Sequence, residues 1–158
     1  MKSLVVYDSV FGNTEELARA VAGVLASGGV VAMKRPEEAS AADLSGVELL
    51  VVGSPTRAFR PTPATMAFIK QLAPDALRRV RIAAFDTRID VEKIDNRFLS
   101  LMVKTFGYAA KPIAKALRKK GGSAAAEPAG FSVADKEGPL VEGERERAEE
   151  WARTLMPS

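Results

Sequence analysis

Residues 47–52 contain Leu49-Leu50-Val51-Val52 without a polar break, held between Gly46 and Gly53. A run that is apolar on both faces of a strand needs cover on both faces. Helices provide that cover around a parallel sheet. Leu4-Val5-Val6-Tyr7 is a second such run, and 30–33, 80–85 and 124–133 supply three further strands, the last interrupted at Glu127-Pro128. Helical patterns fall between them. Leu17, Val21, Val24 and Leu25 share one face of a helix that opens at Glu15 and stops at Gly28-Gly29. Further helices are predicted over 64–72, 108–120 and 142–155. In the last, Trp151 keeps helical spacing with Ala148 and Leu155 and reads as core. Residues 37–45 read as irregular helical turns anchored by Leu44, and 89–104 as a loop with a short helix around Phe98 and Leu99.

Strands alternating with helices give an α/β fold, a doubly wound five-stranded parallel sheet with helices on both faces. At 158 residues, without repeats or linker-like tracts, the chain is expected to form a single domain over 1–158. There is no run of 18 apolar residues. Met1-Lys2 leads directly into a strand, so a cytoplasmic location is expected, with no membrane insertion.

Composition narrows the chemistry. The chain has no Cys and no His, which removes thiol nucleophiles, Cys-ligated metal clusters and imidazole acid/base catalysis. No metal site is expected and no catalytic residue is assigned. An activity on this chain is expected to come from a bound cofactor. The net charge of +3 is too small for a nucleic-acid signature. Lys111, Lys115, Arg118, Lys119 and Lys120 crowd towards the end of one predicted helix, where positive charge suits the dipole.

Three polar segments follow strands of the same sheet and so share its carboxyl edge, where ligands bind in open α/β folds. Ser9-Val10-Phe11-Gly12-Asn13-Thr14 precedes the first helix. Helix N-termini expose unpaired N–H groups that attract phosphate. Ser54 to Arg60 adds a ring, Phe59, and two guanidinium groups, and Asp86-Thr87-Arg88 adds polar groups at a ring edge. Together they suit a planar ring with a phosphate tail.

The first segment resembles the phosphate loop of flavodoxins: a Ser or Thr, two residues, Gly, one residue, then Thr. Gly53-Ser54-Pro55-Thr56 is similar to the start of that family's second flavin loop, and Phe85-Asp86-Thr87-Arg88 to the third. Gly138-Pro139-Leu140, Gly143-Glu144 and Trp151-Ala152 resemble the tail of short flavodoxin-like proteins. The resemblance runs in order along nearly the whole chain. It implies strand order 2-1-3-4-5 and one non-covalent FMN. Ser9, Val10, Phe11, Gly12, Asn13 and Thr14 would hold the phosphate. Pro55, Thr56, Arg57, Ala58 and Phe59 would flank the flavin, and Asp86, Thr87 and Arg88 would approach its pyrimidine edge and ribityl chain. The implied function is electron transfer between redox partner proteins, by a monomer or weak dimer. An FMN-dependent NAD(P)H or quinone reductase, and a regulatory relative that has lost FMN, are the alternatives on this fold.

The chain departs from that family in charge. Electron-shuttling flavodoxins surround the flavin with carboxylates, whereas these loops hold Arg57, Arg60 and Arg88. Positive charge there is expected to raise the potential of the second electron. Where many relatives have Gly in the second loop, this chain has Arg57-Ala58.

Overall fold

The computed structural model describes residues 1–90 and 96–158, apart from the side chains of Leu99, Thr105 and Phe106. The strands are β1 (Lys2–Tyr7), β2 (Val30–Lys34), β3 (Leu49–Pro55), β4 (Arg81–Ile89), β5 (Ser123–Ala124) and β6 (Ala129–Val133). The helices are α1 (Asn13–Leu25), α2 (Pro63–Gln71), α3 (Arg97–Phe106), α4 (Ala110–Lys119) and α5 (Glu144–Thr154). All strand pairings in the sheet are parallel, in the order β2-β1-β3-β4-β5, with β6 continuing the edge beside β4.

The predicted fifth strand is therefore two strands. Ser123 stands opposite Arg81 and Ala129 opposite Phe85, so the edge uses six residues where β4 advances four. Pro128 lies in the looped-out segment, where a missing N–H breaks no ladder. The stretch after β4 also differs from expectation. Its described part holds the ten-residue helix α3, longer than the short helix expected around Phe98 and Leu99, while 91–95 lie outside the described residues. Between β2 and β3 lie a turn at 36–38, where Glu38 N and Ala39 N both donate to Arg35 O, and a short 3-10 helix, Ala41–Leu44, closed by a reciprocal Ser40–Asp43 capping box.

Side-chain alternation along the central strands divides the core into two layers. Leu4, Val6, Leu50, Val52, Ile82 and Ala84 face α2 and α4, where Phe68, Ile69, Ile113 and Leu117 are buried. Val5, Leu49, Val51, Ala83 and Phe85 face α1 and α5, against Leu17, Val21, Ala148 and Ala152. Trp151 joins this second layer as expected, edge-on to Phe85 at 5.9 Å and to Phe131 at 6.1 Å. Each such aromatic pair contributes roughly 0.5–1.5 kcal/mol beyond its burial.

Helix ends are fixed by specific groups. Thr62 caps α2 with Pro63 in its first turn, and the α2 C-terminus receives the Lys120 amine on Leu72 O at 2.7 Å. At the carboxyl edge, Asp8 N donates to Gly53 O at 3.0 Å and Thr56 N to Thr87 O at 2.8 Å. The ends of β1, β3 and β4 are thereby locked side by side, which fixes the places from which their loops depart.

Candidate functional site

Ser9 shapes the first loop. Its hydroxyl accepts from Gly12 N at 3.1 Å and Glu15 N at 3.2 Å, folding the chain into the turn that starts α1. Gly12 takes φ 95° to make that turn. The remaining N–H groups of the loop, those of Val10, Phe11, Asn13 and Thr14, meet no acceptor among the described residues. A concave set of free N–H groups at a helix N-terminus is an anion-binding nest. Inside it, Thr14 Oγ1 lies 2.8 Å from Thr87 Oγ1, with both residues buried.

Two flanking contacts hold this loop. Arg35 donates to Asp8 Oδ1 at 3.3 Å and to Ser9 O at 2.9 Å, with its guanidinium 5.1 Å from the Tyr7 ring centre. From the other side, Asn13 Nδ2 donates to Glu137 O at 3.1 Å. Gly138 makes that approach feasible, because a Cβ there would stand 2.5 Å from Asn13 Oδ1.

The second loop is a tight hairpin. Arg57 N donates to Arg60 O at 2.8 Å and Arg60 N to Arg57 O at 3.0 Å. Ala58 and Phe59, between them, take φ 49° and 66°. Two successive left-handed residues define a turn normally filled by Asn and Gly. Each non-glycine residue there carries strain of order 1–2 kcal/mol. The Arg57 guanidinium lies 5.7 Å from the centre of the exposed Phe11 ring, bridging the first two loops.

The third segment is strand and not loop. β4 continues through Ile89 because Asp86 and Thr87 pair with Ser54 and Pro55 on one side, and 85–89 pair with β6 on the other. Alternation then sends neighbours to opposite faces. Thr87 turns to Thr14 on the α1 side. Asp86 and Arg88 turn to the α4 side, where the Arg88 guanidinium grips both Asp86 carboxylate oxygens at 2.7 Å. Asp86 Oδ2 also accepts from Ala110 N at 2.8 Å, pinning the start of α4. Arg88 lies 3.7 Å above the Tyr108 ring and packs on Gly130. Burial pushes the Asp86 carboxyl up from its ordinary range, and Arg88 and the Ala110 N–H draw it back only in part.

A cleft of about 190 Å³ opens where these segments meet. Of the expected site residues, the structure brings Ser9, Val10, Phe11, Asn13 and Thr14 to its wall, with Pro55, Thr56, Arg57, Ala58, Thr87 and Arg88. Gly12, Phe59 and Asp86 lie outside the lining: Gly12 shapes its turn, Phe59 is half-buried in the hairpin, and Asp86 is spent on Arg88 and Ala110. Ile89, Val133 and Lys136 complete the wall and were not expected. For Val133 and Lys136 the signal was available, because the segment after the fifth strand leaves the same edge as the other three. Lys136 is exposed, adjoins the Glu137 carbonyl that meets Asn13, and brings a cation to the helix N-terminus.

The arrangement is thus an anion nest at one end of a cleft whose walls come from two further strand ends. Cations stand at its rim, and no imidazole or thiol is present anywhere in the chain. A donor set of this kind suits an anionic group such as phosphate.

Comparison with known proteins bears on the fold. The model of a family described as flavodoxin domain matches residues 4–131. Oxidised flavodoxin 1 from Bacillus cereus superposes with a TM-score of 0.76 at 17% identity, covering 98% of this chain and 97% of that one. A Streptococcus pneumoniae flavodoxin gives 0.74 at 20% identity, covering 98% and 97%. Rubredoxin oxygen:oxidoreductase from Desulfovibrio gigas gives 0.72 at 21% identity, covering 98% of this chain but 35% of that protein, so the chain spans about a third of its length. A search of curated proteins finds no match.

Proposed function

We propose that this chain, which belongs to the flavodoxin domain family, binds one FMN non-covalently and passes electrons between redox partner proteins. The observation that carries the reading is the nest of four free N–H groups, opening into a cleft walled by the ends of β3 and β4. Its donor set suits a phosphate dianion, and the cleft continues from it along the sheet edge.

In this reading Val10, Phe11, Asn13 and Thr14 give backbone hydrogen bonds to the phosphate, and the Thr14 hydroxyl adds one more. Lys136 offsets part of its charge. Pro55, Thr56, Arg57 and Ala58 form one wall for the ring, and Thr87, Arg88 and Ile89 the other. FMN, when bound, supplies the one- and two-electron chemistry. The chain sets access and potential. Arg57 and Lys136 place positive charge by the cleft and favour the uptake of electrons. Arg88 is already neutralised by Asp86 and adds less than its formal charge.

The test is direct. The purified chain, or the chain mixed with FMN, is expected to show flavin absorbance bands and to bind FMN far more tightly than riboflavin. Equal affinity for the two would remove the phosphate assignment. No uptake of either would remove the cofactor. Anaerobic reduction of the loaded protein by NAD(P)H alone would move the reading from carrier to self-contained reductase.

A further inference from the structure

The helices on the two faces of the sheet differ in charge. α1 and α5 interleave acidic and basic residues, whereas α2 and α4 contain no acidic residue at all. Between α2 and α4 runs a cleft of about 320 Å³. Met66, Pro112 and Ala116 contribute its apolar surface, and Lys70 on one helix with Lys115 and Lys119 on the other contribute its sides. Lys120 spends its amine on the carbonyls that end α2. Lys70, Lys115 and Lys119 form no ion pair among the described residues.

This cleft is separate from the proposed flavin site. α4 starts at the cofactor edge, where Ala109 N donates to Thr56 Oγ1, and Lys115 and Lys119 lie towards its far end, where Lys120 O accepts from Leu77 N. A partner held there would leave the mouth of the flavin cleft open.

We propose that the α2–α4 cleft is a docking groove for an acidic amphipathic helix of a partner protein. A helix presents a ridge of apolar side chains at i, i+3 and i+4, and the groove between two packed helices receives such a ridge. Carboxylates flanking the ridge then meet lysines from both walls. The shape argues against a lipid surface as the occupant. Membrane-lying helices push large apolar side chains outward, but the apolar surface here is recessed between cations. The large apolar side chains that do protrude, such as Val30 and Phe98, lie on other elements.

The experiment is a titration of the isotope-labelled full chain, with FMN present, using a synthetic helical peptide of about five turns with a Leu face flanked by Glu. Two control peptides replace Glu by Lys or scramble the order. The Glu peptide is expected to shift amide signals of α2 and α4, with binding that weakens as salt rises. Lys115→Glu combined with Lys119→Glu is expected to weaken it by roughly tenfold or more. These lysines are exposed, and an unchanged far-ultraviolet spectrum confirms that the variant folds; Lys70→Glu tests the opposite wall independently. Equal binding of the Lys or scrambled peptide would overturn the proposal. So would undiminished binding by the variants, shifts confined to 9–14, no binding of the Glu peptide, or association only with phosphatidylglycerol vesicles. The groove does not depend on the flavin, so a chain that fails to take up FMN leaves this test intact.

Discussion

Thr14 Oγ1 and Thr87 Oγ1 face each other at 2.8 Å in the buried seam between α1 and β4. A hydroxyl has one proton to give, so only one of the pair donates to the other. If Thr87 donates, the Thr14 proton is left for an anion in the nest. Thr14→Val is expected to weaken FMN binding by about 1.5–3 kcal/mol, the range for a hydrogen bond to a charged group. Thr87→Val is expected to weaken it less. The double variant should lose less than the sum, because the two hydroxyls act as one unit. Fluorescence titration with FMN and with riboflavin checks this. A riboflavin affinity that falls in parallel would show that the valines damage the cleft and not phosphate recognition.

Lys136 supplies a cation beside the nest from outside the three expected loops. Lys136→Ala is expected to reduce the preference for FMN over riboflavin by roughly tenfold at low salt, with a smaller effect as salt rises. An unchanged ratio of affinities would place the amine in solvent.

How far the sequence led is clearest at β3 and β4. The unbroken run Leu49-Leu50-Val51-Val52 was enough to place a doubly covered strand, and alternation then accounts for both core layers. The turn that opens α1 is legible because Ser9, Gly12 and Thr14 are local signals, acting within a few residues of each other. Asp86-Thr87-Arg88, expected as a loop from its polar residues, is strand. Its strand character comes from pairing with β3 and β6, which no local pattern reveals. The same cause hid the Asp86–Arg88–Tyr108 stack, which needs α4 in place before its charges can be assigned. Arg35 was hidden as well, because its contact with the Ser9 carbonyl joins segments 26 residues apart.

The hairpin offers a test of strain. Ala58 occupies φ 49° without the freedom of glycine. Relief of about 1–2 kcal/mol in the folded state, set against the roughly 0.5–1 kcal/mol of extra chain entropy that glycine loses on folding, predicts a net gain. Ala58→Gly is therefore expected to stabilise the chain by about 0.5–1 kcal/mol in urea unfolding. A loss of stability would mean that the Ala58 methyl packs against something worth more than the strain.

Asp86 allows opposing forces to be separated by pH. It is fully buried, and burial pushes its carboxyl above the ordinary value of 3.8 despite the Arg88 bridge. The folded state then holds the Asp86 proton more tightly than the unfolded state does. Stability from this group is present below the unfolded value and is lost as pH rises through the folded one. Asp86→Asn keeps an acceptor for Ala110 N and removes the titration. The stability of the native chain relative to Asp86→Asn should therefore fall as pH rises from about 4 towards neutrality. Asp86→Ala, which leaves the Ala110 N–H unsatisfied, is expected to be about 1–3 kcal/mol less stable than Asp86→Asn across that whole range. Urea unfolding of the three proteins at several pH values distinguishes the cases. If the Asn variant instead becomes relatively worse as pH rises, Arg88 outweighs desolvation, and the buried pair is a source of stability at neutral pH and not a cost.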